Sequence, residues 1–253
     1  MRDGVPGSVL VSAWGSLRGG LRGSVWLSAR EALLDALALV LPTECAGCGS
    51  EGRELCTACR GRLASALVRA ASPGGIRVYA GASYDELVRR VVLACKQGRT
   101  ALANPLAGVL TGALEAALAE AAGAGPHVEL CAVPSTRAAY RRRGFDPARL
   151  VLARTGQTDA RVLRPARPHH VQKGLGRDAR RTNLRGVHRA RGRLDGRTFL
   201  LIDDVVTTGA TIDEAARAIR DAGGEVLAAV AIAATPLRGG LRHARTTPSE
   251  SAG

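Results

Sequence analysis

The sequence predicts an α/β chain: a doubly wound parallel sheet with a small four-cysteine module ahead of it. Three observations carry this. Phe199 to Ile202 is a short apolar run without helical period, suited to a strand buried on both faces; Ile212, Ala215, Ala216 and Ile219 then recur at helical spacing until Gly223 and Gly224. An Ala-rich helix, Asn104 to Ala122, precedes a second apolar run, Val128 to Val133, in the helix-then-strand order that a parallel sheet requires. Cys45, Cys48, Cys56 and Cys59 form two Cys-x-x-Cys pairs separated by seven residues.

At 253 residues the chain can hold one full α/β core plus a small satellite, or two modest domains. An apolar content of 46% supports a buried core, and 3% aromatic residues leaves few stacking platforms for bases. From Arg137 to Arg197, 18 Lys plus Arg face four Asp, an excess of 14 that equals the net charge of the whole chain. Such a block suits a polyanion: pyrophosphate, a nucleotide or a nucleic-acid backbone. Only Lys96 and Lys173 are lysines, which hints that a compact point charge is wanted at those two sites.

In chain order, residues 1–28 are rich in Gly, Ser and Arg with little period and are expected to be a disordered leader. Residues 29–75 would form a helix, from Arg30 to Leu41, and the cysteine module. The apolar stretch from Ala32 to Leu41 is broken by Asp35, is too short to span a bilayer and has no typical cleavage site after it, so a cytoplasmic protein is expected. Four thiolates from two such pairs can converge on one tetrahedral ion, the geometry of closed structural zinc sites, and the cytoplasmic setting argues against disulfides. Cys95 and Cys131 stand apart as small buried hydrophobes. Residues 76–235 would be the main domain. Ile76 to Tyr84 suits a strand, Asp85 to Ala94 a helix, and Leu150 to Arg154 another helix. Between them Pro134 to Asp146 makes a basic loop at a strand's carboxyl end, where ligands bind in such sheets. Arg164 to Arg193, with His169 and His170, has little apolar period beyond a short strand near Val162, and at that length suits a functional lid. Glu225 to Ala233 is a further buried strand, and residues 236–253 are expected to be a disordered tail.

The stretch around Asp203 carries the chemistry. After the strand come Asp203 and Asp204, then Thr207, Thr208, Gly209, Ala210 and Thr211, then a helix. A small-residue loop at a helix N-terminus offers open amides and the positive end of the dipole, which suits phosphate. Two carboxylates beside phosphate would repel it unless they face hydroxyls or a metal ion, so a sugar phosphate fits better than bare phosphate. Neither a P-loop ending nor the three-glycine dinucleotide fingerprint is present. This pattern resembles the phosphoribosyl pyrophosphate (PRPP) signature of type I phosphoribosyltransferases. By that resemblance Asp203 and Asp204 would hold the ribose 2′ and 3′ hydroxyls, and Val205, Thr207, Thr208, Gly209, Ala210 and Thr211 complete the binding loop around the 5′-phosphate.

Three blocks together resemble the ComF family of competence-associated phosphoribosyltransferase-like proteins. They are the four-cysteine knuckle, the Val133–Phe145 basic loop with Gln172, Lys173, Leu175, Arg180, Arg181, Asn183, Leu184 and Gly186, and the acid-pair loop. The chain departs from that family where Gly144-Phe145-Asp146-Pro147 stands in place of Gly-Phe-Asn-Gln. The resemblance implies a type I phosphoribosyltransferase fold, a structural Zn2+ on Cys45, Cys48, Cys56 and Cys59, and Mg2+ bound together with PRPP. Ser135, Thr136 and Arg137 would form the pyrophosphate loop, with Lys96, Arg142 and Arg143 as neighbouring charge and Lys173, Arg180 and Arg181 on the lid. Two functions follow: a Mg2+-dependent transferase of phosphoribose to an acceptor, or a non-catalytic protein of DNA uptake that binds single-stranded DNA or docks a helicase-like competence protein. An acceptor pocket beside ribose C1 would mark the first, and steep salt dependence the second.

Overall fold

The computed structural model describes residues 43–63, 67–120, 127–166 and 186–235. The leader, the 30–41 helix, His169, His170, Gln172, Lys173, Arg180, Arg181 and the tail lie outside the described residues.

Among the described residues the main sheet has five strands: β1 (Val68–Ala71), β2 (Arg77–Ser83), β3 (Val128–Ala132), β6 (Thr198–Val206) and β7 (Glu225–Ala234), in the spatial order β1-β2-β7-β6-β3. β1 runs antiparallel at one edge, and every other pairing is parallel. A separate two-stranded ribbon pairs β4 (Leu163–Pro165) with β5 (His188–Ala190). The helices are α1 (Thr57–Leu63), α2 (Glu86–Lys96), α3 (Ala103–Glu120), α4 (Arg137–Arg143), α5 (Pro147–Arg154) and α6 (Ala210–Arg220).

Both faces of the sheet are covered, as a parallel sheet with near-continuous apolar strands demands. Along β6 the side chains alternate: Leu200 and Ile202 enter the core shared with α2, α3, α5 and the cysteine module, while Phe199, Leu201 and Val206 enter the core shared with α6. Residues 100–120 are long and apolar enough to cross a membrane by length and composition alone. In the fold α3 packs on β2, β7 and α5, and Leu106, Leu110, Ala113 and Leu114 are buried there, which accounts for its apolar character.

The sequence reading is corrected at several places. Asp203 and Asp204 do not end the strand; β6 continues to Val206 because Asp203, Val205 and Val206 still pair with Ala231, Ala233 and Ala234 of β7. The basic loop after β3 contains a helix, α4, capped by the Thr136 hydroxyl and closed by Gly144. The helix expected from Leu150 begins at Pro147, because the Asp146 carboxylate caps it and proline suits the first helical position. The stretch expected to be aperiodic basic loop contains β5, and the region expected to belong to the cysteine module contains β1.

Candidate functional site

β3 stops at the level of Ile202, where Val133 N donates to Ile202 O at 2.8 Å. β6 therefore overhangs its neighbour on that side, and Asp203 and Asp204 stand on the overhang. Asp203 is half-buried, and its Oδ1 accepts the Asp204 amide at 2.8 Å. Burial first, and then the charge of Asp204, push its carboxyl well above the ordinary carboxylate range, to about 8. Asp204 is held differently: Lys96, the last residue of α2, donates from Nζ to its Oδ1 at 2.8 Å, and the two side chains are 25% and 17% exposed. Ionisation of Asp203 is thus disfavoured, while Asp204 has an ammonium as its partner.

The turn after β6 places Thr207 and Thr208 on the surface and Gly209 at the N-cap of α6. Gly209 has φ +73°, and a Cβ there would meet Ser72 Cβ at 2.9 Å and Pro73 Cδ at 3.0 Å, so only glycine fits. Among the described residues no side chain caps α6; Ala210 N has only a long 3.4 Å contact to Thr208 Oγ1. Asp213, the one acid of the first turn, faces away: it accepts from Ser72 Oγ, and from Gly74 N at 2.9 Å. The helix N-terminus thus presents amides and a positive dipole end without a competing carboxylate.

On the other side of the acids, Ser135 N donates to Asp146 Oδ2 at 2.7 Å, and Arg143 Nη2 donates to Ser135 Oγ at 2.9 Å. Asp146 is 6% exposed and also accepts from Arg149 N at 3.4 Å. It therefore shapes the Ser135 loop and caps α5 at once. Thr136 is occupied as the cap of α4, while Arg137, Arg141 and Arg142 are exposed on that helix together with Tyr140.

Residues 84–248 match the family model of the phosphoribosyl transferase domain. The chain belongs to that family. A comparison with curated proteins returned none that matches. In this phosphoribosyltransferase fold the sequence-predicted Lys96 and Asp204 are in direct contact, Ser135 and Arg143 are in direct contact, and Thr207 to Thr211 form the turn after β6 and the first residues of α6.

The four cysteine sulfurs lie within 4.8 Å of one another and can hold a metal ion. The donor set fits zinc: Cys56 N donates to Cys45 Sγ at 3.3 Å and Cys59 N to Cys56 Sγ at 3.4 Å, the amide contacts that favour thiolate. Burial raises the Cys45 thiol, but amides of Cys56, Cys48 and Gly47 outweigh it and lower it to about 6. The Ser50 hydroxyl lowers Cys48, whereas burial pushes Cys59 up to about 12 in the metal-free thiol form. Burial also raises Cys95 to about 11 and Cys131 to about 12, so neither is an activated nucleophile.

Three residues, Ser72, Gly74 and Glu214, escaped the sequence reading. Ser72 and Gly74 tie the β1–β2 loop to Asp213, which the short apolar pattern of β1 gave no means to foresee. Glu214, 4% exposed, accepts from Gly186 N at 2.7 Å and His188 N at 3.3 Å, while Arg217 forks onto it at 2.8 and 2.7 Å. It fastens the chain preceding β5 to α6, the helix that follows the acid pair. A glutamate at helical spacing from apolar neighbours looks like a surface residue, so nothing in the local pattern marked it.

Proposed function

We propose that the protein is a ComF-type phosphoribosyltransferase that binds PRPP with Mg2+ and transfers phosphoribose to an acceptor, in the cytoplasm and in association with DNA uptake. The observation that supports this best is the acid pair on the overhang of β6 followed by an uncapped helix N-terminus. Asp203 and Asp204 accept from the ribose hydroxyls; Val205, Thr207, Thr208, Gly209, Ala210 and Thr211 enclose the 5′-phosphate with amides and hydroxyls. Ser135, Thr136 and Arg137 lie on the side of the leaving pyrophosphate, with Lys96, Arg142 and Arg143 adding positive charge. Lys173, Arg180 and Arg181 supply the same charge from the segment ahead of β5. Residues 29–75 serve as the zinc module and 76–235 as the transferase domain.

The chain's part in the reaction is electrostatic. Breaking the bond from ribose C1 to pyrophosphate leaves positive charge on the sugar and negative charge on the departing oxygens, and fixed donors stabilise the latter. Bound together with PRPP, Mg2+ would supply charge neutralisation to the leaving pyrophosphate, which suits a site that among the described residues offers the carboxylate pair Asp203 and Asp204. The acids fix the sugar and the amides fix the 5′-phosphate, so C1 is oriented toward the acceptor while the rest of the substrate is immobilised.

A second reading has its own observation: Tyr140 is 50% exposed on α4 among Arg137, Arg141 and Arg142, an aromatic platform within positive charge that suits single-stranded DNA. Calorimetric titration with PRPP and Mg2+, beside the Asp203→Asn/Asp204→Asn double variant, tests the first. Binding that the double variant loses is expected. No heat from zinc-loaded wild type, with salt-sensitive binding of single-stranded DNA that Tyr140→Ala weakens, would replace it with the second.

A further inference from the structure

Lys96 and Arg99 stand three residues apart and bond to different parts of the molecule. Lys96 pairs with Asp204. Arg99 turns the other way: its Nε donates to Glu54 Oε2 at 2.6 Å, and its Nη2 donates to Glu54 O at 3.3 Å and to Glu44 O. Glu44 and Glu54 flank the metal-ligating loop, directly before Cys45 and two residues before Cys56. The turn between the two basic residues is tightly bonded. Gly98 has φ +111°; Gly98 N donates to Cys95 O at 3.1 Å, Arg99 N to Ala94 O at 3.1 Å and Thr100 N to Gly98 O at 2.7 Å.

The module also rests on the same helix. Cys45, Leu55, Cys59 and Leu63 share one core with Leu87, Val88 and Val91 of α2, and Arg90 Nη1 donates to Gly47 O at 3.4 Å. Within the module Ala46 N donates to Glu54 O at 2.9 Å, so one carbonyl serves both the cysteine loop and Arg99. Anything that loosens the loop therefore withdraws acceptors from Arg99.

We propose that Arg99 is a positioning residue that couples metal occupancy of the four-cysteine module to the phosphoribosyl site, by clamping the end of α2 so that Lys96 stays on Asp204. The ligand half of this rests on the reading of Asp203 and Asp204 as the ribose-binding pair. An ion on the four sulfurs holds Glu44 and Glu54 in place; these hold Arg99; the Gly98 turn passes the constraint to Lys96. Without an ion to join Cys45 and Cys48 to Cys56 and Cys59, the loop that carries Glu44 and Glu54 is free to relax, and the ammonium at Asp204 is no longer fixed. The linkage is reciprocal: ligand at the acid pair tightens the module's hold on its metal.

The test uses the full chain, zinc-loaded, as wild type, Arg99→Gln, Lys96→Met and the double variant, with chelator-stripped wild type beside them. Zinc content, backbone hydrogen exchange over 93–99 and 203–206, and titration with PRPP and Mg2+ are read on each. Arg99→Gln is expected to keep its zinc, to exchange faster in both segments, and to bind PRPP about fivefold more weakly; stripping the wild type reproduces both effects. In the Lys96→Met background the Arg99→Gln change adds less than about twofold, because the residue it acts through is gone. Unchanged exchange over 203–206 in both Arg99→Gln and the stripped protein overturns the coupling whether or not PRPP binds, and so do additive losses. If wild type takes up no PRPP while the exchange of 203–206 still follows Arg99, the coupling stands and the ligand assignment falls.

Discussion

Replacing Asp203 by Asn should stabilise the protein while destroying its site. Burial and the neighbouring Asp204 hold the Asp203 carboxyl at about 8 in the folded chain, whereas an unfolded aspartate loses its proton near pH 4. Between those values the folded state binds the extra proton. Stability from this group is therefore complete below about pH 4 and is lost as pH rises toward about 8. A displacement of about four units corresponds to about 5 kcal/mol as an upper limit. Partial solvent access at Asp203 reduces the expected loss to about 2 kcal/mol. Asn keeps an oxygen able to accept the Asp204 amide, so little else changes. Urea unfolding of wild type and Asp203→Asn at several pH values from 5 to 8 checks this. The stability gap in favour of the variant should widen with pH and reach about 2 kcal/mol at pH 8, while PRPP binding disappears. A gap independent of pH, or a variant less stable than wild type at pH 8, would refute the reasoning.

Gly209→Ala should destabilise the fold by about 2–4 kcal/mol, from a left-handed backbone and a Cβ pressed against Ser72 and Pro73, and should weaken PRPP binding because the phosphate loop must shift; an unfolding midpoint equal to wild type would count against it. Glu214→Ala leaves the Gly186 and His188 amides without their acceptor, while Arg217 keeps Asp221 and the His188 carbonyl, and should cost about 2 kcal/mol, read by urea unfolding. Its effect should be seen as well in faster hydrogen exchange of β5.

The apolar runs made the architecture legible. Phe199 to Ile202 and Val128 to Val133 are too short and too uniformly apolar to be amphipathic helices, and each follows or precedes a helical period, which leaves a parallel sheet covered on both faces. The four cysteines were equally plain, since their spacing alone brings four sulfurs together. What was hidden depends on contacts between distant segments. Nothing near Asp204 announces that its partner is Lys96, and nothing near Ser72 announces that it bonds to Asp213. The end of β6 was misplaced for a related reason: carboxylates resemble the end of a strand, yet the pairing of Asp203, Val205 and Val206 with the alanines of β7 carries the ladder past them. Helix α4 was missed because Arg, Ala and Tyr give it no apolar stripe; all seven of its residues lie outside the core, and its boundaries are set by Thr136 and Gly144.

The spacing of the site's two halves bears on the kind of ligand it takes. The carboxylates are on the strand and the open amides begin at Ala210, with Val205 to Gly209 between them. A bare phosphate would satisfy the amides alone and leave the acids with their repulsion, which shows in the unliganded protein as the upward shift of Asp203 and the ammonium on Asp204. A ligand of a pentose's length, with hydroxyls at one end and a phosphate at the other, gives each half the partner it lacks. On the proposed reading Asp203 ionises as hydroxyl donors arrive, so binding releases a proton near neutral pH, and a phosphate without hydroxyls has no means to drive that release. Discrimination thus follows from two charged groups that the empty site must hold in check, and the polar groups left unpaired by a wrong ligand are what reject it.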